Sequence, residues 1–365
     1  MKKTIDAVII DTSVLVNNQC DFLGINSSTI PAFYELLIDK GVILLDQDVL
    51  HKEIINHIGE SIAVSRFRKL ISIFDKSKEL LQYLGMSCEP LSNQLSEVDI
   101  NQKVIDDFEI KYKNAHKLPY PNADKIFELY FSNTAPFKKS GEKKSEFPDA
   151  FVIGAVKDYV DTEKYKTVLV ISSDNHWKTA FEEYKNITYV ESLDEAINLL
   201  QEETDIADIL FDRLKQEIED GIEYIADGEC YDLDYYELVE DDLEVTELSV
   251  NELYDDLVVL KITNDTVIIK CTAELNLGGR ATVFDEESSV WDSEDHEYIY
   301  RVNSEVEFKN ATAEVECEIE IKFDLNDIED SANVNKIKIV NPYAILISLD
   351  ASETSWEQLY EEEDY

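Results

Sequence analysis

The stretch that decides the fold is Ala-Val-Ile-Ile-Asp-Thr-Ser-Val-Leu, residues 7–15. Four apolar residues, three of them β-branched, run without interruption into Asp11, which is typical of a strand buried on both faces. A similar run, Val-Leu-Val-Ile at residues 168–171, ends shortly before Asp174. Because the carboxyl ends of parallel strands meet at one edge of a sheet, we expect Asp11 and Asp174 to lie close together.

Strand and helix patterns alternate through the first half of the chain, which predicts a parallel sheet covered by helices on both faces. Asp48 is expected to cap a helix that carries Glu53, and Asp149 to open a later helix. Strands are predicted over 7–10, 42–45, 168–171 and 188–190, and helices over 28–40, 48–57, 61–83, 97–115, 122–132, 149–160, 176–184 and 192–201.

After about residue 205 the hydrophobic pattern changes. An amphipathic stretch over 205–224 predicts a connecting helix, and beyond it the period becomes two, which predicts antiparallel strands. Asn264-Asp265 and Gly278-Gly279 are predicted to form turns. Strands are predicted over 258–263, 266–275, 298–302, 312–323 and 337–340, with Glu314, Glu316, Glu318, Glu320 and Lys322 on one face of the fourth.

These patterns predict an α/β domain with a parallel sheet flanked by helices, followed by an acidic, mainly antiparallel β domain. The predicted boundaries are 1–203 for the first domain, 204–225 for the connecting helix, 226–356 for the β domain and 357–365 for a tail.

Charge is distributed very unevenly along the 365 residues, whose formal net charge is −46. Residues 1–200 hold 23 basic and 31 acidic side chains, a balance of −8, whereas residues 201–365 hold 10 and 48, a balance of −38. Such an asymmetry favours two domains with different tasks. It also excludes binding of nucleic acid through a broad basic surface, so that any nucleic-acid chemistry needs a local site.

Composition excludes several other classes of protein. There is no apolar run of about 18 residues, so no membrane span is expected, and the first residues do not have the pattern of a signal peptide. The five cysteines are widely spaced and form no C-x-x-C motif, which argues against zinc ribbons and disulfide frameworks. We therefore expect a protein of the reducing cytoplasm.

Four acids stand where chemistry at the strand ends would need them: Asp11, Glu53, Asp149 and Asp174. Carboxylates that converge repel one another unless a divalent cation lies between them, and Mg²⁺ and Mn²⁺ prefer such oxygen ligands. A metal held in this way can activate water for attack on a phosphodiester. Each acid taken alone also fits a simpler role, as a turn residue, a helix cap or a solvent-facing helix acid.

The ordered set resembles the PIN-domain nucleases. The matching features are Asp11-x-Ser13-x-Leu15 after the first strand, the helical Glu53, Asp149 at the start of a later helix, and Ser172-x-Asp174. The resemblance covers about residues 5–200 and is greatest to a bacterial branch of PIN-like proteins with an extra C-terminal region. It does not cover the acidic half.

The resemblance implies a metal-dependent endoribonuclease that uses Mg²⁺ or Mn²⁺. Asp11, Glu53, Asp149 and Asp174 would bind the metal, and Ser13 and Ser172 would support the first and last of them. Glu146 would be a further ligand, although Pro148 argues against a helix over 146–148. The resemblance also implies regulation, in stress, toxin or phage-defence systems.

RNA is the expected substrate, because unstacked strands can reach a recessed carboxylate cluster, and single-stranded DNA stays open as an alternative. Four lysines precede Asp149, and they fit either a grip on backbone phosphates or a solvated loop. Trp177 either stacks a base or packs against the sheet. The lysines are Lys138, Lys139, Lys143 and Lys144.

Two further interpretations stay open. The chain fits a non-catalytic PIN-like interaction protein, in which the acids are structural or bind metal without turnover. The acidic half fits a nucleic-acid mimic, a docking module for a basic protein partner, an intramolecular shield of the nuclease site, or a domain that only favours solubility. A homo-oligomer is also open.

Overall fold

The structure, a computed structural model, describes residues 4–137, 146–163, 166–201, 205–234, 236–292, 296–340, 344–349 and 354–359. The chain divides into two compact units, Met1–Glu202 and Glu203–Tyr365. In the part of the chain that the structure describes, no helix is long and apolar enough to cross a membrane.

The first unit is built on a sheet of five parallel strands in the order β3-β2-β1-β4-β5. Every residue of β1 and of β4 is buried, as their unbroken apolar sequences predict. The parallel sheet flanked by helices is therefore confirmed. The strands are β1 (Ala7–Ile10), β2 (Ile43–Gln47), β3 (His116–Leu118), β4 (Val168–Ile171) and β5 (Ile187–Val190).

Ten helices of this unit lie within the described residues. Those around the sheet agree with the predicted ones to within a few residues, apart from two short helices over residues 12–17 and 89–96, which were not predicted. The helices are α1 (Thr12–Asn17), α2 (Thr29–Lys40), α3 (Asp48–Ile58), α4 (Ile62–Tyr83), α5 (Glu89–Ser96), α6 (Ile100–Tyr112), α7 (Ala123–Ser132), α8 (Phe147–Thr162), α9 (Asn175–Phe181) and α10 (Leu193–Leu200).

One local prediction in this unit was wrong, and one strand was not predicted. The cap of α3 is Gln47, whose side chain accepts a hydrogen bond from the Val49 backbone N–H at 2.6 Å, while Asp48 is the first helical residue. The edge strand β3 was not predicted. Its three residues, His-Lys-Leu, are too few and too polar to show a strand pattern, and only pairing with β2 defines them.

The second unit consists of a long helix packed on an antiparallel sheet, which confirms a mainly antiparallel β domain. The helix is α11 (Asp205–Ala226), whose apolar stripe joins the sheet in one core. The other elements are β6 (Tyr231–Leu233), β7 (Leu238–Leu253), β8 (Val258–Ile262), β9 (Thr266–Asp292), β10 (Glu297–Lys322), α12 (Ile328–Ser331), β11 (Asn333–Ile339), β12 (Ile345–Ile347) and β13 (Thr354–Leu359).

The long strands β9 and β10 form the centre of this sheet. They pair antiparallel from Lys322 opposite Thr266 to Glu297 opposite Asp292. The sheet order is β11-β10-β9-β7, and β8 and β13 pair with β9 and β10 respectively. A parallel pair, β6 with β12, completes the unit.

Gly278-Gly279 does not form the predicted turn but lies in the middle of β9. The physical reason is close packing, since a Cβ atom on Gly279 would come within 2.2 Å of the Glu244 carbonyl oxygen on β7. Glycine is therefore needed here because the backbones of β7 and β9 approach each other closely, and not because the chain reverses its direction.

The predicted alternation of outward-facing charged residues and buried apolar residues over 312–323 is present, with one exception. Glu314 and Glu316 are exposed on the outer face, but Glu318 is buried. It lies opposite the buried Lys270 of β9, whose Nζ is also 3.3 Å from the Glu316 carboxylate. A lysine on the neighbouring strand thus compensates part of the acidic row.

Replacement of Gly279 by alanine is expected to destabilise the protein by about 1–3 kcal/mol, the usual cost of overpacking a core. Its new methyl group would meet the Glu244 backbone oxygen, which cannot move without shifting a strand. Gly278→Ala is the matched control, because its methyl group would meet only the Glu247 side chain, at 3.2 Å. Urea unfolding followed by circular dichroism measures both. Equal losses in the two variants would contradict the close-packing explanation.

Candidate active site

The carboxyl ends of β1 and β4 lie side by side. Ile10 is in register with Ile171, and the Asp11 backbone N–H donates to the Ile171 carbonyl at 2.9 Å. The residues that follow each strand, Asp11 and Ser172, are therefore held next to each other by the sheet itself. This is the edge at which open α/β sheets place their sites.

Two hydroxyl groups hold the carboxylate of Asp11. Ser13 Oγ donates to Asp11 Oδ2 at 2.5 Å, and Ser172 Oγ donates to the same oxygen at 2.8 Å. Ser173 Oγ in turn donates to Ser13 Oγ at 3.0 Å. Asp11 is 5% exposed, so its orientation is set by these bonds and not by solvent.

Asp174 has two roles at the start of α9. Its Oδ1 accepts a hydrogen bond from the His176 backbone N–H at 2.7 Å, as a helix cap does. Its own backbone N–H donates to Ser172 Oγ at 3.1 Å. Ser172 thus contacts both Asp11 and Asp174, whereas Ser13 contacts Asp11.

Helices bring the other two acids to this edge. Glu53 lies on α3, which packs against both α1 and α8. Asp149 lies in the first turn of α8, and its Oδ1 accepts a hydrogen bond from Trp177 Nε1 at 3.2 Å. Trp177 is completely buried, which contradicts base stacking and agrees with packing inside the unit.

The pKa values show that these carboxylates act on one another. Burial, and then the charges of Asp11, Glu53 and Asp174, raise the pKa of Asp149 to about 7, against the hydrogen bond from Trp177, which lowers it. Burial, then the charge of Asp11, raises the pKa of Glu53.

The pKa of Asp11 is also raised. Burial is the main cause and the charge of Asp174 adds to it, while the bonds from Ser13 and Ser172 lower the pKa. Asp11 therefore receives direct support for its charged form from two hydroxyl groups.

The four acids fit a divalent cation by their chemistry. They supply only oxygen donors, which Mg²⁺ and Mn²⁺ prefer, and a cation among them would relieve the repulsion that raises the pKa values of Asp11, Glu53 and Asp149. Within the described residues, no group of three or more His, Cys, Asp or Glu side chains is arranged so that it could hold a metal ion as it stands. The carboxylates therefore share one region without forming a closed cage.

The other residues predicted to belong to the site are Glu146 and four lysines. Glu146 is buried at the N-cap of α8, and the helix begins at Phe147 because Pro148 is tolerated in a first turn. Glu146 is not among the main causes of the pKa shifts at Asp11, Glu53 and Asp149, and its role as a ligand stays a prediction. Lys138, Lys139, Lys143 and Lys144 lie outside the described residues.

Sequence reasoning missed two residues that position the site. One is Trp177, as the donor to Asp149, and the other is Tyr189 of β5, whose hydroxyl donates to the carbonyl oxygens of Ser172 and Asp174, the latter at 3.1 Å. Their partners are 15 to 28 residues away along the chain. The only available signal was an aromatic residue with a polar tip close to a strand end.

Comparison with known proteins gives one match. Residues 8–177 match the family model described as the PIN domain. No curated protein and no solved structure matches the chain. The matched range includes Asp11, Glu53, Asp149 and Asp174, and it ends at Trp177.

As the pH rises from about 4 to about 7, metal-free protein is expected to lose stability, partly because the Asp149 carboxyl group ionises. Its pKa rises from 3.8 to about 7 in the folded state, so the folded protein holds this proton more tightly than the unfolded chain does. A raised pKa contributes stability that is complete below the unfolded value and is lost as pH passes through the folded value. Asp149→Asn should therefore show a weaker decline.

Thermal unfolding in the presence of EDTA, at intervals across this range, measures the effect. Asp158→Asn, at a half-exposed position on the same helix, is the matched control and should follow the wild type. Melting temperatures of wild type and Asp149→Asn that decline in parallel would contradict the prediction.

Proposed function

This chain belongs to the PIN-domain family through residues 8–177, and from that premise we propose that it is a divalent-metal-dependent endoribonuclease. PIN domains are generally nucleases, typically use divalent metals and generally bind nucleic acid. The observation that carries the proposal is the mutual influence of four carboxylates at one edge of the sheet. Asp11, Glu53 and Asp174 all raise the pKa of Asp149.

Asp11, Glu53, Asp149 and Asp174 are the residues that would hold Mg²⁺ or Mn²⁺. Such a metal supplies a water nucleophile at neutral pH and stabilises charge on the leaving oxygen of a phosphodiester. Glu146, buried at the start of the helix that carries Asp149, is proposed as a further ligand at this edge.

The chain's own side chains prepare the site. Ser13 and Ser172 fix the orientation of the Asp11 carboxylate, and Trp177 fixes that of Asp149. Glu53 is only part-buried and its pKa is raised, so it is suited to orient the attacking water and to accept a proton from it. Fixed ligands and a proton acceptor together are what hydrolysis of a phosphodiester requires.

We propose RNA as the substrate, in single-stranded or looped form. Unstacked strands can bend into a recessed carboxylate edge, whereas a duplex presents its backbone on a rigid cylinder. Lys138, Lys139, Lys143 and Lys144 precede Asp149 in sequence, and we propose that they contact backbone phosphates. Cleavage assays on RNA and on single-stranded DNA of equal sequence decide between the two nucleic acids.

Regulation is part of the proposal and is supported by the charge asymmetry. A unit with a balance of −38 over residues 201–365 has the charge needed to compete with nucleic acid or to dock a basic protein. The setting in stress, toxin or phage-defence systems, and the reducing cytoplasm as location, stay predictions from the sequence.

Replacement of Asp11 by asparagine is expected to lower the rate of RNA cleavage more than about 100-fold. Residues that only support a metal ligand usually lower the activity by at most about 100-fold when they are replaced, and the loss of a ligand should exceed this. Asn cannot supply the negative charge, although it keeps the size of the side chain. Asp48→Asn is the matched control, because Asp48 is an exposed acid on the helix that carries Glu53. Gel-resolved cleavage of a labelled RNA with Mn²⁺ measures the rates. Undiminished cleavage by folded Asp11→Asn protein would overturn the assignment.

Mn²⁺ is expected to stabilise the wild type by about 2.7 kcal/mol at a concentration 100 times its dissociation constant. The stabilisation should be lost in Asp174→Asn and kept in Asp48→Asn. Thermal unfolding with and without Mn²⁺ measures it. Stabilisation of the wild type without cleavage of any RNA or DNA substrate would favour a non-catalytic interaction protein, and no stabilisation would contradict metal dependence.

A further inference from the structure

An exposed group of aromatic side chains lies where the long strands β9 and β10 approach their connection. We call it the aromatic tip and define it as Phe284, Trp291, Tyr298 and Tyr300. Trp291 and Tyr300 are both 50% exposed. The Tyr298 ring packs 4.8 Å from the Phe284 ring and 4.8 Å from the Trp291 ring, so three of the four form one connected set.

The aromatic tip has the features of a built surface. Tyr298 is anchored by its hydroxyl, which donates to the Glu286 carboxylate at 2.9 Å. The strand beside it is irregular, because Ser289 Oγ donates to the Asp285 carbonyl at 2.6 Å and accepts from the Val302 backbone N–H at 2.9 Å. These bonds replace regular pairing and fix the rings at the end of the hairpin.

One cation is already bound here by the chain itself. The guanidinium carbon of Arg301 lies 4.3 Å from the centre of the Phe284 ring, and its Nη2 is 3.0 Å from the Glu237 carboxylate. A ring face and a carboxylate thus hold a guanidinium together, which is the usual way that proteins bind arginine at a surface. The faces of Trp291 and Tyr300 offer the same chemistry to a cation from outside.

Charge around the tip is negative. Among the described side chains of residues 284–301, Asp285, Glu286 and Asp292 stand against a single arginine, Arg301. Two basic residues farther along these strands are also paired with acids: Arg280 Nη2 is 2.6 Å from the Glu244 carboxylate, and Lys309 Nζ is 3.9 Å from that of Glu307. The sheet therefore has carboxylates in excess of its cations next to exposed rings.

We propose that the aromatic tip is a docking surface for a basic polypeptide segment, in which arginine or lysine side chains lie on Trp291 and Tyr300. Charge complementarity selects this partner. Nucleic acid also stacks on aromatic rings, but its phosphates would be repelled by the surrounding carboxylates. A second copy of the chain would bring the same excess of negative charge against itself, which is unfavourable.

This docking surface does not depend on the proposed nuclease function, because it lies wholly in the second unit. The test uses the full-length chain and a fluorescein-labelled peptide of four Arg-Gly-Gly repeats, with binding followed by fluorescence anisotropy. Substitution of both exposed rings, Trp291→Ala with Tyr300→Ala, should weaken binding at least tenfold without changing the charge. Asp11→Asn protein should bind as the wild type does.

Two matched controls separate the tip from general attraction to an acidic surface. Tyr224→Ala removes a ring that is 84% exposed on α11, and Glu314→Gln removes an exposed charge elsewhere on β10; both should change the affinity by less than twofold. A double variant with Trp291→Phe and Tyr300→Phe keeps the ring faces and should retain most of the binding. It also supports the test if the alanine variant fails to fold.

Several results would overturn the proposal. One is unchanged binding after removal of both rings, and another is equal loss in the Tyr224→Ala or Glu314→Gln control. Binding of a labelled single-stranded RNA that is abolished by the ring substitutions would identify nucleic acid as the occupant instead. Self-association in sedimentation velocity that is abolished by the same substitutions would identify a second copy.

Discussion

The pairing of β1 with β4 is the constraint on which the candidate site depends. It places Ile10 opposite Ile171, and so brings Asp11 within reach of Ser172 although 161 residues separate them. The helices α3 and α8 then place Glu53 and Asp149 near this edge of the sheet. Burial of this edge makes the arrangement costly without a cation, because desolvation and like charge both raise the pKa values of Asp11, Glu53 and Asp149.

The sequence was sufficient for the features that local physics determines. Unbroken apolar runs predicted β1 and β4, and the rule for parallel sheets then selected Asp11 and Asp174. Features that depend on contacts between distant residues were not predictable. Gly278-Gly279 has the composition of a turn, yet it lies in β9 because β7 passes too close for a side chain. The bond from Trp177 to Asp149 likewise has no local signal.

The acidic residues of the two units have different environments. Around Asp11 and Asp149 negative charge is concentrated, partly buried and hydrogen-bonded to hydroxyl and indole donors, an environment that perturbs pKa values as functional sites do. On the sheet of the second unit most of it faces solvent, and Lys270 compensates part of it from within. At the aromatic tip, carboxylates stand beside exposed rings. The net charge of −46 thus includes three groups of acids with separate physical consequences.

The central claim is that Asp11, Glu53, Asp149 and Asp174 form one metal-binding edge. Anomalous diffraction from crystals of the protein grown with Mn²⁺ tests it most directly, because the position of the ion is observed without reference to activity. We predict an anomalous peak among these four carboxylates, at metal–oxygen distances of about 2.0–2.3 Å, and its loss in Asp11→Asn crystals. A well-ordered structure in which these carboxylates bind no Mn²⁺ would contradict the claim.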